Sequence, residues 1–321
     1  MHLIDMHCDT AAKILESKSG EGLYENSFDI DIKGMKRAGT MAQFFACFVY
    51  MERFQGKDRM EKAFLYAQKM AEKLKKEIQK NSKEIALATT TNDIVSNQRQ
   101  GKISAILTLE EGGVINGDLR NLEELYNDGT RLVTLLWNFE NCMGYPNSSD
   151  RRIMEQGLKP FGFETVERMN DLGMLVDVSH MSDGGFWDVI RTSKKPIVAS
   201  HSSARSLCSH PRNLTDEMLR ALGKNGGIAA LNFYPAFIRE DQKASKEDLV
   251  AHIKHMVNVA GIDAVAIGTD YDGFEGGELE IDKAEKMPLL YQALRKEGFT
   301  ESQLEKIWFR NVMQVLKEVI K

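Results

Sequence analysis

The sequence predicts an α/β fold, a closed (β/α)8 or TIM barrel, and three observations predict it. Eight short, β-rich apolar runs recur along the chain. Longer amphipathic stretches separate them, as parallel strands require, because such strands are joined by long crossovers. No GxGxxG follows the first run, which disfavours the rival open sheet in its dinucleotide-binding form.

The runs are Leu3–Met6, Met41–Val49, Ile103–Leu109, Leu132–Leu136, Leu175–Val178, Ile197–Ser200, Ile228–Asn232 and Val265–Gly268. Helical spacing is clearest over Met60–Lys80, where lysines fill the polar face. It recurs over Leu119–Asn127, Phe161–Leu172, Gly184–Thr192, Thr215–Leu222, Lys246–Ala260 and Lys283–Glu297. Thr215 and Thr300 carry start signals, and a last helix over Glu301–Ile320 closes the chain. With no linker and no repeat of fixed period, residues 1–321 are expected to form one barrel domain with a C-terminal helix.

Composition narrows the function classes. A net charge of -5 argues against a strong non-specific nucleic-acid binder. No apolar run is long enough to span a bilayer, so no membrane partner is expected. Cys8, Cys47, Cys142 and Cys208 form no CxxC pair, and the N-terminus shows no signal-peptide pattern. Free thiols in a reducing cytoplasm are the expectation. The lysines of 73–80 read as the solvated end of a helix.

In such barrels chemistry sits at the C-terminal ends of the strands. Strand one ends in His7-Cys8-Asp9. Residues two apart share a face, so His7 and Asp9 aim together at the barrel mouth while Cys8 turns away. Strand three ends in Glu110-Glu111-Gly-Gly, an acidic pair that is costly to bury unless a cation compensates it. Strands five, six and eight end in His180, His201 and Asp270. A lone histidine at a strand end is usually an ordinary core or loop residue. Three of the seven histidines at such ends, with carboxylates nearby, are far less ordinary together. Imidazole and carboxylate donors suit zinc, and also manganese, iron or cobalt. His252 and His255, three apart on a helix, look solvated, and His2 and His210 have no evident partners.

These residues, in order over nearly the whole chain, resemble the membrane (renal) dipeptidase family of the amidohydrolase superfamily, in the form of its soluble bacterial members. The matching segments are 4–10, 107–113, 176–182, 200–206, 212–213, 232–234 and 268–273. The resemblance implies a zinc-dependent dipeptidase with two zinc ions and a bridging water that attacks the peptide bond of a small dipeptide. It implies that His7 and Asp9 hold one ion, His180 and His201 the other, and that Glu110, with Glu111 as the alternative, bridges them. Asp270 would bind the first ion and handle the proton. Arg212 would pair with the substrate carboxylate, and Trp137, Asn138 and Tyr234 would be further substrate contacts. A homodimer and tolerance of a C-terminal D-residue are also implied. Strand four ends in Trp137-Asn138, where mammalian members carry a substrate-contacting histidine, and Ala12 stands where they carry a tryptophan. Two rivals remain at this point. One is another amidohydrolase acting on a small amide, though no lysine follows strand four to bridge metals as in many of those enzymes. The other is a non-catalytic metal-binding barrel.

Overall fold

The computed structural model describes residues 2–320. Eight parallel strands close on themselves: Leu3–Cys8, Thr40–Phe48, Ile103–Glu110, Thr130–Thr134, Leu175–Asp177, Val198–Ala199, Ile228–Leu231 and Val265–Ile267. Each pairs with the next, and the eighth returns to the first through Ile267 opposite Asp5. The expected barrel is therefore present, with strand ends shifted by one or two residues.

Five helices lie outside the predicted ranges: Thr10–Glu16, Ile32–Ala38, Thr91–Arg99 and the single turns Arg151–Met154 and Pro235–Ile238. So does a short strand, Ile85–Leu87, outside the ring. That strand pairs with Ile103–Ala105, along the edge of strand three that strand four takes up from Leu107 onward. Three residues are too few to show a period in the sequence. The last helix is also not continuous. It runs Glu301–Glu305, widens into a π-turn over Lys306–Arg310, and resumes over Asn311–Val319. Asn311, at the end of the wide turn, donates to the carbonyls of Ile262 and Val265 at 2.8 Å each, tying this helix to the start of strand eight.

The barrel interior is layered, because alternate strand residues face inward. At the bottom Ile106, Leu132, Leu175, Val198, Ile228 and Ala266 form an apolar plug with Val312, Val315, Leu316 and Val319 of the C-terminal helix. One inward step higher the same strands carry Thr108, Thr134, Asp177 and Ser200, all buried. One step higher still is the mouth, where Glu110 points in. The outward residues, among them Leu107, Leu109, Val133, Val176, Ala199 and Leu231, pack under the helices.

His252 overturns one expectation. It is buried, not solvated: the Ala204 N–H donates to its Nδ1 at 3.2 Å, and its Nε2 meets the Ile238 carbonyl at 3.1 Å. Burial holds its pKa down to about 4. The unfolded chain takes this proton near its ordinary value of about 6.5, so the stabilisation is present above that value and is lost as pH falls from there towards 4. Between pH 7 and pH 5 the metal-free protein should lose on the order of 2 kcal/mol through this group. Urea unfolding of wild type beside His252→Gln at both pH values measures it, and equal losses in the two proteins would refute the assignment. His255 is half-exposed and pairs with Asp216 at 2.8 Å.

Candidate metal centre

The mouth brings together side chains from five strand ends. His7 Nε2 lies 3.3 Å from Asp9 Oδ2, 3.2 Å from Glu110 Oε2 and 3.8 Å from Asp270 Oδ1. On the other side Glu110 Oε1 lies 3.0 Å from His180 Nε2 and 3.5 Å from His201 Nε2. One oxygen of Glu110 thus faces each half of the cluster. Three sets have donor atoms close enough to share an ion: His7, Asp9 and Glu110; Glu110, His180 and His201; and His7, His201 and Asp270.

Local backbone sets these directions. The pairing of strands one and two is irregular between Asp5 and Cys8, which turns His7 into the mouth and leaves Cys8 in the outer core. His180 and Asp270 both hold the left-handed backbone conformation, at φ 68° and 62°. Non-glycine residues there are strained, and such strain gathers at functional sites. Gly273 is needed for closeness, since a Cβ there would collide with Asp9 Oδ2 and Asp270 Oδ1. Gly268 is needed likewise, as its Cβ would strike the Ser200 carbonyl.

Hydrogen bonds decide which nitrogen each histidine presents. His180 Nδ1 lies 2.9 Å from Asn138 Oδ1, an acceptor, so Nδ1 carries the proton. Ser200 Oγ gives its only proton to Asp177 at 2.5 Å, so its contact with His201 Nδ1 at 2.7 Å must be donated by Nδ1–H. Both Nε2 atoms are then lone pairs, yet they sit 2.9 Å apart beside a carboxylate oxygen. Two acceptors cannot bond each other, and the arrangement is favourable only around a cation. His7 Nε2 and Asp9 Oδ1 are also buried without a hydrogen-bond partner. The donor set therefore fits a metal.

The electrostatics agree. Burial pushes the Glu110 carboxyl up, against the pull of His7. It pushes Asp270 up as well. Burial and the charges of Arg212 and His7 hold His180 and His201 well below the ordinary histidine value. Burial would lower His7 too, but Glu110 and Asp9 beside it hold it well above. In the metal-free protein that proton stands where an ion's charge would be, so metal binding releases it.

A cavity of about 410 Å³ opens over the cluster, of a size suited to a small ligand. Trp137, Asn138 and Tyr234 line it, with Phe48, Tyr50 and Lys13. Arg212 is buried, is not among the cavity-lining residues, and donates its terminal groups to Ser202 Oγ at 2.7 Å and the His201 carbonyl at 2.9 Å; only its Nε lacks a partner. Glu111, the alternative bridge, faces away. It accepts from Gly113 N, Trp137 N and Asn141 Nδ2, and so holds the loop. Asn232 was quoted within a motif but given no role; it donates to Asp270 Oδ2 at 2.8 Å. Asp177 and Ser200 likewise lie within matching segments, 176–182 and 200–206, without an assigned role, although Ser200 directly precedes His201.

Fold and site together define a metallohydrolase built on a barrel. The family model for membrane dipeptidases (Peptidase family M19) matches residues 1–321. An uncharacterized dipeptidase of Schizosaccharomyces pombe is 30% identical over 90% of this chain and 71% of its own length. Among solved structures, dipeptidase AC, a metallopeptidase of family M19, is 27% identical with a TM-score of 0.89, covering 100% of this chain and 99% of that one. A metallopeptidase from Rhodobacter sphaeroides, liganded with a phosphinate mimic of the dipeptide L-Ala-D-Ala, is 25% identical with a TM-score of 0.88, covering 99% of each chain. The chain belongs to the membrane dipeptidase family, and it is a metal-dependent dipeptidase. That sets aside both rivals left open by the residues alone. Among the described residues, no helix is long and apolar enough to cross a membrane.

Proposed function

We propose that the enzyme works with two zinc ions, one held by His7, Asp9 and Asp270, the other by His180 and His201, with Glu110 bridging them. The observation that carries this is the split use of Glu110, one oxygen towards each half of a cluster whose Nε2 lone pairs face one another. Such a pair of ions, when bound, supplies a water of lowered pKa and polarises the scissile carbonyl. The chain's own groups do the rest. Asp270, its carboxyl raised by burial, takes a proton and passes it to the leaving amine. Asn232, on Asp270 Oδ2, fixes the carboxylate and leaves Oδ1 towards the cluster. Trp137, Phe48 and Tyr234 enclose the substrate in the cavity.

Arg212 orients the substrate carboxylate. Its free Nε is the donor that could meet the carboxylate directly, while its anchored terminal groups fix its position. The small cavity favours dipeptides over longer chains, and D-residues are accepted at the C-terminal position, in keeping with the mimic bound by the Rhodobacter sphaeroides relative.

Chelation tests the reading. Protein stripped by EDTA is expected to lose its dipeptidase activity and to regain it as zinc approaches two ions per chain. Full activity in metal-free protein would refute it. In the same assay L-Xaa-D-Xaa dipeptides should be turned over beside L-L ones, and no turnover of them would end the stereochemical part alone.

A further inference from the structure

Two buried carboxylates brace the strands that carry the metal centre. Asp5 is 2% exposed and Asp177 0%. Each ties neighbouring strands together through a hydroxyl placed just before a site residue. Asp5 accepts from Thr269 N at 2.9 Å and Thr269 Oγ1 at 2.7 Å, linking strands one and eight. Asp177 accepts from Ser200 N at 2.9 Å and Ser200 Oγ at 2.5 Å, linking strands five and six. It also accepts from Ser179 N at 3.0 Å and Thr134 Oγ1 at 2.7 Å. Four donors converging on one carboxyl is the pattern of the acceptor-only, ionised form.

The two differ in one respect. The Ser200 hydroxyl continues to an imidazole, His201 Nδ1, at 2.7 Å. The Thr269 hydroxyl does not; its other neighbours are the Tyr271 N–H at 3.3 Å and the His7 carbonyl at 3.4 Å. His180, the companion of His201, is held only by the neutral amide of Asn138. Negative charge relayed to the far nitrogen of an imidazole fixes its tautomer and makes the near nitrogen a stronger donor to a metal.

We propose that Asp177, acting through the Ser200 hydroxyl, is a positioning residue. It locks His201 in the Nδ1–H form and so strengthens the hold on the ion shared by His180 and His201. The proposal rests on the two-ion reading above. It adds two groups, Asp177 and the Ser200 hydroxyl, that touch neither substrate nor metal but reach His201.

Ser200→Ala isolates the effect. It removes the hydroxyl but keeps the Ser200 N–H and two other donors on Asp177, so the strap between strands survives. Competition with a graded chelator, read as zinc per chain, should show one ion released at 10- to 100-fold lower chelator strength and the other unmoved. The melting temperature of the metal-free variant should stay near that of metal-free wild type, while the gain on adding zinc shrinks. If neither ion's release shifts, the proposal is wrong. It is equally wrong if metal-free and zinc-loaded proteins lose the same stability with affinity intact, since the hydroxyl would then serve the fold alone. A measurement on the unmutated protein guards against a variant that does not fold. In zinc-loaded wild type with 15N-labelled histidine, His201 should show a protonated Nδ1 and a metal-bound Nε2, and the opposite tautomer would overturn the proposal. Failure of the two-ion reading is separately visible, as wild type that binds fewer than two zinc ions.

Discussion

Glu110→Gln is expected to lower kcat/KM by on the order of 10³ or more, a loss of about 4 kcal/mol of transition-state stabilisation. Both ions should be weakened at once. Glu110 places one carboxylate oxygen towards each half of the cluster, with Oε2 near His7 and Oε1 near His180 and His201. An amide of the same shape keeps one oxygen and replaces the other with an NH2 group, which cannot ligate. It also removes one negative charge from a buried site that must balance divalent cations. Glu111→Gln is the informative contrast. That side chain is spent on Gly113 N, Trp137 N and Asn141 Nδ2, so its variant should lose stability while keeping its ions. Metal analysis and turnover of both variants check this together. If the Glu111 variant loses its ions and the Glu110 variant keeps them, the bridge has been assigned to the wrong residue.

Asp270→Asn is expected to lower kcat by about 10² to 10⁴, the range carried by one positioned acid–base group. The second ion, which Asp270 does not hold, should remain. Asn is the right replacement because position 270 holds the left-handed backbone, at φ 62°, which Asn tolerates better than most residues. The substitution therefore removes proton transfer without straining the loop. Kinetics beside zinc content separate the two roles given to this residue. A variant with normal kcat would strip Asp270 of the proton, and one with a normal rate and one ion lost would leave it only as a ligand.

Much of this was legible in the sequence because strand ends are easy to locate and ligands sit there. His7, Asp9, His180, His201 and Asp270 were each read from an apolar run followed by a metal-type residue, and the fold brings all five together. Glu110 was preferred over Glu111 on family spacing, and the inward parity it shares with Ile106 gives the physical reason for its direction. Position along a strand did not reveal what held the ligands. Asp177 reads as an ordinary polar residue in an apolar run until strand six lies against it. His252 looked solvated because a helix of mixed composition shows no clear inner face, and only the Ala204 and Ile238 backbone groups explain its burial. The direction of Arg212 depends on Ser202 and the His201 carbonyl, which no local pattern encodes.

The closure of strand eight onto strand one, above the plug formed by the C-terminal helix, bears on how the enzyme acquires its metal. Along the chain His7 and Asp9 precede the other ligands, Asp270 follows them, and the helix beneath the barrel comes later still. A chain made as far as His201 already carries Glu110, His180 and His201, but the ring that fixes their directions is not closed until strand eight pairs with strand one. Firm loading is therefore expected once the ring has closed, and a captured ion would act as a latch that records a correctly sealed cylinder.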